Sequence, residues 1–108
     1  MAFDGLLAGR VRSCLRHVAG VSEKKMFGGL AFMIDGHLTV GVYRDGLIAR
    51  IGAQDMDAAM AQPGVRPFDM TGRPMRGIVV IDSAVLDDSA LDRWIEQARS
   101  YGPGLSPK

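Results

Sequence analysis

The chain is short of the residue types from which metal sites and disulfides are built. Its 108 residues include one cysteine, Cys14, and two histidines, His17 and His37. A single cysteine excludes an intrachain disulfide. Since no second cysteine or histidine stands at ligand spacing, the sequence predicts no metal site.

Long apolar segments and a strong net charge are also missing. No apolar run approaches the roughly 20 residues of a membrane-spanning helix. The run Leu6-Leu7-Ala8 is too short for the apolar core of a secretion signal. The formal net charge is +1, so no strong field attracts nucleic acid or an anionic membrane. We therefore expect a cytoplasmic protein that does not contact a membrane.

Length and composition favour one folded unit. The 108 residues, of which 47% are hydrophobic, are enough for a single core. We expect one domain over residues 1–108, with a flexible tail over residues 101–108.

The first twenty residues show the pattern of an amphipathic helix. Apolar residues recur at steps of three and four, and Gly20 is a natural end. The stripe consists of Phe3, Leu6, Leu7, Val11, Cys14, Leu15 and Val18. Because no base is offered nearby, Cys14 is interpreted as a core residue rather than a nucleophile.

The next thirty residues change to alternating apolar and polar positions, which is typical of strands. Asp35-Gly36 and Asp45-Gly46 lie between these stretches, and Asp-Gly favours tight hairpin turns. Strands are predicted over 24–27, 30–34, 37–43 and 47–51. Gly28-Gly29 is interpreted as a bulge, and the even-numbered residues Leu38, Val40 and Val42 are expected on one face.

The second half is predicted to hold a short helix, a connector, a strand and a last helix. The short helix covers Ala53–Gln62, and the continuous apolar run in Gly77–Asp82 indicates a buried strand. Leu91, Trp94, Ile95, Ala98 and Tyr101 form the stripe of the last helix. Clustered strands with a helix at each end predict an α+β fold with an antiparallel sheet of about five strands.

No catalytic group stands out. The aspartates Asp35, Asp45, Asp87 and Asp88 fall at turns and helix caps, where they have a structural role. No serine lies in a nucleophile-elbow pattern. Because both faces of the sheet carry apolar residues, we expect a homodimer.

The stretch RPFDMTGRPMRG, residues 66–77, leaves three interpretations open. Its prolines and glycines are typical of a stiff, bent connector. Arg66, Arg73 and Arg76, with Lys24 and Lys25, could instead bind nucleic acid or another anion. The same arginines could clamp a small anionic substrate of an enzyme.

Two segments together resemble a known family. KKMFGGLAFMIDGHL, Lys24 to Leu38, and GVRPFDMTGRPMRGIVVID, Gly64 to Asp82, are similar to the two signature regions of the TfoX N-terminal domain family. This family includes the competence regulators also called Sxy, which act in transcription and DNA transformation. Those regulators carry a second, C-terminal helical domain, and we expect this chain to be a short stand-alone member without it.

The resemblance implies a curved antiparallel sheet flanked by helices, no enzymatic activity and no cofactor. It implies a bacterial regulator that contacts a protein partner, such as the cyclic-AMP receptor protein, and is often a dimer. Direct binding of nucleic acid is the alternative. The candidate surface for a partner or an anion is Lys24, Lys25, Met26, Phe27, Arg66, Arg73, Met75 and Arg76.

Overall fold

A computed structural model describes residues 5–26, 28–44, 46–69 and 76–101, with Met26 described through its backbone alone. Within these ranges the helices are α1 (Gly5–Leu15), α2 (Met56–Met60) and α3 (Asp88–Tyr101). The strands are β1 (Val21–Met26), β2 (Gly29–Ile34), β3 (His37–Tyr43), β4 (Gly46–Arg50), β5 (Val65–Pro67) and β6 (Ile78–Asp82). Single 3-10 turns cover Ala53–Asp55 and Ser83–Val85.

The strands form one six-stranded antiparallel sheet in the order β1-β2-β3-β4-β6-β5. The predicted α+β fold with flanking terminal helices is therefore confirmed. The sheet has one strand more than predicted, because Val65–Pro67 in the presumed connector pairs with β6. Proline is tolerated there since β5 is an edge strand.

The β5 edge has a defined backbone orientation. The N–H of Phe68 donates to Ile78 O at 3.0 Å, and the N–H of Asp82 donates to Gly64 O at 2.8 Å. Backbone groups alternate in direction along an antiparallel strand. Residues 64, 66 and 68 therefore face β6, whereas Val65 and Pro67 direct their backbone groups outward.

One face of the sheet packs against α1 and α3 and forms the main core. Its strand residues include Phe32, Val40, Val42, Leu47, Val79 and Ile81, and its helix residues include Leu7, Val11, Leu91, Trp94 and Ile95. α3 begins as the sequence predicts, because the Asp87 carboxylate accepts a hydrogen bond from Ala90 N–H at 2.7 Å. Its predicted apolar stripe is confirmed, with Leu91, Trp94, Ile95 and Ala98 buried.

The opposite face carries a second, smaller apolar cluster of Ile48, Phe68, Ile78 and Val80. Leu38 packs against this cluster, so its predicted position on the face of Val40 and Val42 is wrong. Phe32 pairs with Val40 and Met33 with Leu38, which leaves Thr39 as an extra residue in β3. This irregularity reverses the direction of Leu38 relative to Val40.

The predicted bulge at Gly28-Gly29 is also wrong. Met26 pairs with Gly29, so Gly28 lies in the tight connection between β1 and β2, and Gly29 begins β2. The irregularity of this region lies instead at Thr39. A glycine pair indicates unusual backbone geometry without distinguishing a turn from a bulge.

The first helix is shorter than its apolar stripe predicts. It ends at Leu15, well before Gly20, and Leu6 is 83% exposed whereas Ala8 is buried. Leu6 and Leu7 are adjacent, so a helix cannot direct both towards one sheet. The small residue Ala8 takes a core position that a count of large apolar residues misses.

Candidate functional site

Two of the predicted basic residues lie in one row across the sheet. Lys24 pairs with Ala31, which pairs with Gly41, and the row continues through Ile48 and Val80 to Arg66. Directly opposed residues share a face. Lys24 and Arg66 therefore belong to the face of the second apolar cluster, one at each edge of the sheet.

Among the described residues, the structure does not gather the predicted basic side chains into one surface. Five strand spacings of about 4.8 Å separate Lys24 from Arg66, which is roughly 24 Å. Lys25 follows Lys24 in β1 and belongs to the opposite, helix-covered face. Arg76 is exposed in the turn before β6, which lies four strands along the sheet from β1. The two signature segments therefore occupy opposite edges of the sheet.

Phe27, Arg73 and Met75 of the predicted surface lie outside the described residues, and Met26 is the last residue of β1. The described side chains of that surface are Lys24, Lys25, Arg66 and Arg76, and all four are exposed.

The acidic neighbour of the two lysines is paired with the first helix. Arg12 donates two hydrogen bonds of 2.7 Å to the two carboxylate oxygens of Glu23. These bonds lower the pKa of Glu23 and raise the pKa of Arg12. With Glu23 neutralised by Arg12, β1 presents Lys24 and Lys25 as unpaired positive charges within the described part of the chain.

A cavity of about 360 Å³ lies at the other edge of the sheet, beside β5. It is lined by Tyr43, Arg44, Arg66, Pro67, Phe68, Asp69 and Val80. Arg66 was predicted from the sequence, whereas Arg44 was not. The cavity thus joins the end of β3 to the strand that the sequence did not predict.

Aromatic rings shape one wall of this cavity. The rings of Tyr43 and Phe68 meet edge to face, with centroids 5.3 Å apart and planes at 80°. The guanidinium carbon of Arg44 lies 5.2 Å from the centroid of the Tyr43 ring. This is a cation–π distance. Phe68 is only 2% exposed, so this wall is continuous with the second apolar cluster.

Arg44 has an unusual backbone conformation, with φ at 56°. A non-glycine residue in this left-handed region is uncommon and costs about 1–2 kcal/mol. Sequence reasoning missed Arg44 because it placed the turn at Asp45-Gly46. Asp45 itself lies outside the described residues, and Gly46 begins β4. An arginine just before an Asp-Gly pair was the available signal.

A second cavity, of about 450 Å³, lies between the β2–β3 turn and the end of α3. Asp35, His37, Glu96 and Arg99 are its charged or titratable lining residues. Arg99 donates to Glu96 at 2.5 Å, so this guanidinium is already paired. Among the described residues, Arg44 and Arg66 at the first cavity form no ion pair, whereas Arg99 at this second cavity does.

Cys14 is a poor nucleophile in this structure. Partial burial and a 3.3 Å hydrogen bond from its Sγ to the Asp92 carboxylate raise the pKa of the thiol to about 11. A thiol must lose its proton to become reactive, so Cys14 stays protonated near neutral pH. Its side chain links α1 to α3, in agreement with a packing role.

Among the described residues, no group of three or more histidine, cysteine, aspartate or glutamate side chains is placed to hold a metal ion. No helix in the described ranges combines the length and the apolar character needed to cross a bilayer.

The sheet, its two terminal helices and the two signature segments define a small α+β domain. Residues 13–101 match the TfoX N-terminal domain family, and the chain belongs to this family. The match includes every strand of the sheet. It also includes the two lysines and the three arginines of the signature segments. No curated protein and no solved structure matched the chain.

Proposed function

We propose that this protein is a non-enzymatic regulatory module that acts by contact with a protein partner. Membership of the TfoX N-terminal domain family over residues 13–101 carries this proposal. The family is associated with competence, so the expected partner belongs to the transcription machinery, with the cyclic-AMP receptor protein as the first candidate. The module is proposed to act in the bacterial cytoplasm.

The β1 edge is the proposed contact surface. Lys24 and Lys25 are exposed there, and the carboxylate of Glu23 beside them is neutralised by Arg12. Unpaired charges at a surface rim accelerate association with a partner of opposite charge. An acidic surface on the partner is therefore expected to face β1.

Binding of the purified cyclic-AMP receptor protein, measured by biolayer interferometry at low and moderate salt, tests the proposal. The variant Lys24→Glu/Lys25→Glu is expected to weaken binding at least tenfold. The control Arg16→Glu/Arg93→Glu makes the same change in charge at two exposed positions, one in the turn after α1 and one in α3, and should retain binding. If a pull-down with this protein recovers an unrelated protein and no component of the transcription machinery, the proposed role in transcription is wrong.

Homodimer formation is a separate part of the proposal. The sequence argument for it was an uncovered apolar second face, yet Phe68 packs over Ile48, Ile78 and Val80 within the chain. The dimer therefore needs some other contact surface. Sedimentation at tens of micromolar protein tests it directly, and a purely monomeric profile would contradict it.

A further inference from the structure

The cavity beside β5 holds two guanidinium groups with unused binding capacity. Arg44 and Arg66 are both exposed and both line it. Within the described part of the chain, neither forms an ion pair with a carboxylate. Two guanidinium groups at one cavity are chemically suited to a phosphate or carboxylate group, which accepts paired hydrogen bonds from arginine.

Arg44 is held in place before any ligand arrives. Its left-handed backbone, with φ at 56°, directs it from the end of β3, and its guanidinium lies over the Tyr43 ring. Phe68 supports that ring from the side. Uncommon backbone conformations tend to occur where a side chain must be positioned for function. Positioning in advance also reduces the entropy lost on binding.

Asp69 restricts the kind of anion that fits. Its exposed carboxylate lines the same cavity and repels a ligand that is negatively charged throughout. A compound with an anionic group for the two arginines and hydroxyl or amino donors for Asp69 satisfies both. The cavity volume of about 360 Å³ is in the range of small-molecule sites.

We propose that this cavity binds a small phosphate ester that carries hydrogen-bond donors, a compound of the size of a mononucleotide. Arg44 and Arg66 bind the phosphate, and Asp69 accepts from a sugar hydroxyl or an amino group. This site is independent of the protein contact at β1, at the other edge of the sheet. The two proposals can therefore fail separately.

Isothermal titration calorimetry at about 50 mM salt tests the site, since low salt preserves phosphate contacts. Adenosine monophosphate, inorganic phosphate and a short single-stranded oligonucleotide are the three probes. Adenosine monophosphate is expected to bind most tightly and to displace the others. Absence of its binding, or tighter binding of the oligonucleotide without competition, would overturn the proposal.

Arg66→Gln and Arg44→Asn are expected to weaken binding of adenosine monophosphate about tenfold to a hundredfold, since each removes charge-assisted hydrogen bonds. Asparagine is chosen at position 44 because it tolerates the left-handed conformation. Arg16→Gln is the matched control, because it removes one positive charge at an exposed position in the turn after α1, outside the cavity. An equal loss with Arg16→Gln would show a general charge effect and overturn the assignment.

Asp69→Asn tests the proposed selectivity. Binding of inorganic phosphate is expected to tighten in this variant, while the preference for adenosine monophosphate over inorganic phosphate falls severalfold. An unchanged preference would overturn the role of Asp69. Urea unfolding of each variant confirms that the protein used in the titrations is folded.

Discussion

The β2–β3 and β3–β4 hairpins both contain an Asp-Gly pair, and they place it differently. In the first hairpin Ile34 pairs with His37, so Asp35-Gly36 makes the turn, with φ values of 52° and 84°. In the second hairpin Tyr43 pairs with Gly46, so the glycine lies in β4. The connection begins instead with Arg44.

Close packing accounts for this difference. A Cβ atom on Gly46 would lie 2.7 Å from Val80 Cγ1 and 3.1 Å from Ile81 O, whereas one on Gly36 would meet nothing within 4 Å. Glycine at 46 is therefore required by its neighbour in the sheet, and glycine at 36 by its own backbone. The same dipeptide can thus serve either a turn or a close contact between strands.

Gly46→Ala is expected to have the largest effect on this comparison. Crowding against Val80 should lower the free energy of unfolding by about 1–3 kcal/mol. Urea unfolding followed by the fluorescence of Trp94, the single tryptophan, measures it. In a Val80→Ala background the same change should cost much less. Equal costs in both backgrounds would contradict the packing explanation.

Gly36→Ala is expected to cost less, about 1 kcal/mol, because only the left-handed backbone is penalised. Gly36→Asn should recover part of this loss, since asparagine tolerates that conformation. The same urea titration measures both. If Gly36→Ala lowers the free energy of unfolding more than Gly46→Ala does, the expected order of the two effects is wrong.

Substitution of Arg44 is expected to have the smallest effect. Arg44→Gly relieves the left-handed backbone but loses the contact with Tyr43 and gains unfolded-state entropy, so the net change should be below about 1 kcal/mol. Arg44→Ala keeps the strain and should be less stable than Arg44→Gly by about 1 kcal/mol. At a position with an ordinary backbone conformation, the alanine variant is more stable than the glycine variant. If Arg44→Ala is more stable than Arg44→Gly, the backbone of Arg44 is not strained.

The fold was largely predictable because its main signals are local. The apolar stripe of α3, the cap at Asp87 and the turn at Asp35-Gly36 each depend on neighbours in sequence. β5 was missed because three residues containing Pro67 do not resemble a strand until β6 is beside them. The reversal of Leu38 was missed for a similar reason, since it follows from an unpaired residue in β3.

The site was predictable only in part. Arg66 was predicted from its segment, but its grouping with Lys24 and Lys25 assumed that segments with similar chemistry lie together. Strand order decides that question, and β1 and β5 are at opposite ends of it. Arg44 could not be linked to Arg66 without the pairing of β3, β4 and β6.

Pro67 has a consequence for how this protein behaves in a crowded cell. Its backbone is directed outward on β5, where an ordinary residue would offer an N–H to an added strand. Proline has no N–H to offer. At the opposite edge, on β1, an added strand would lie beside the positive charges of Lys24 and Lys25. Features of this kind discourage sheets from growing into aggregates. Both borders of this sheet are therefore suited to preventing edge-to-edge pairing between copies of the chain at high concentration, which leaves association through other surfaces open.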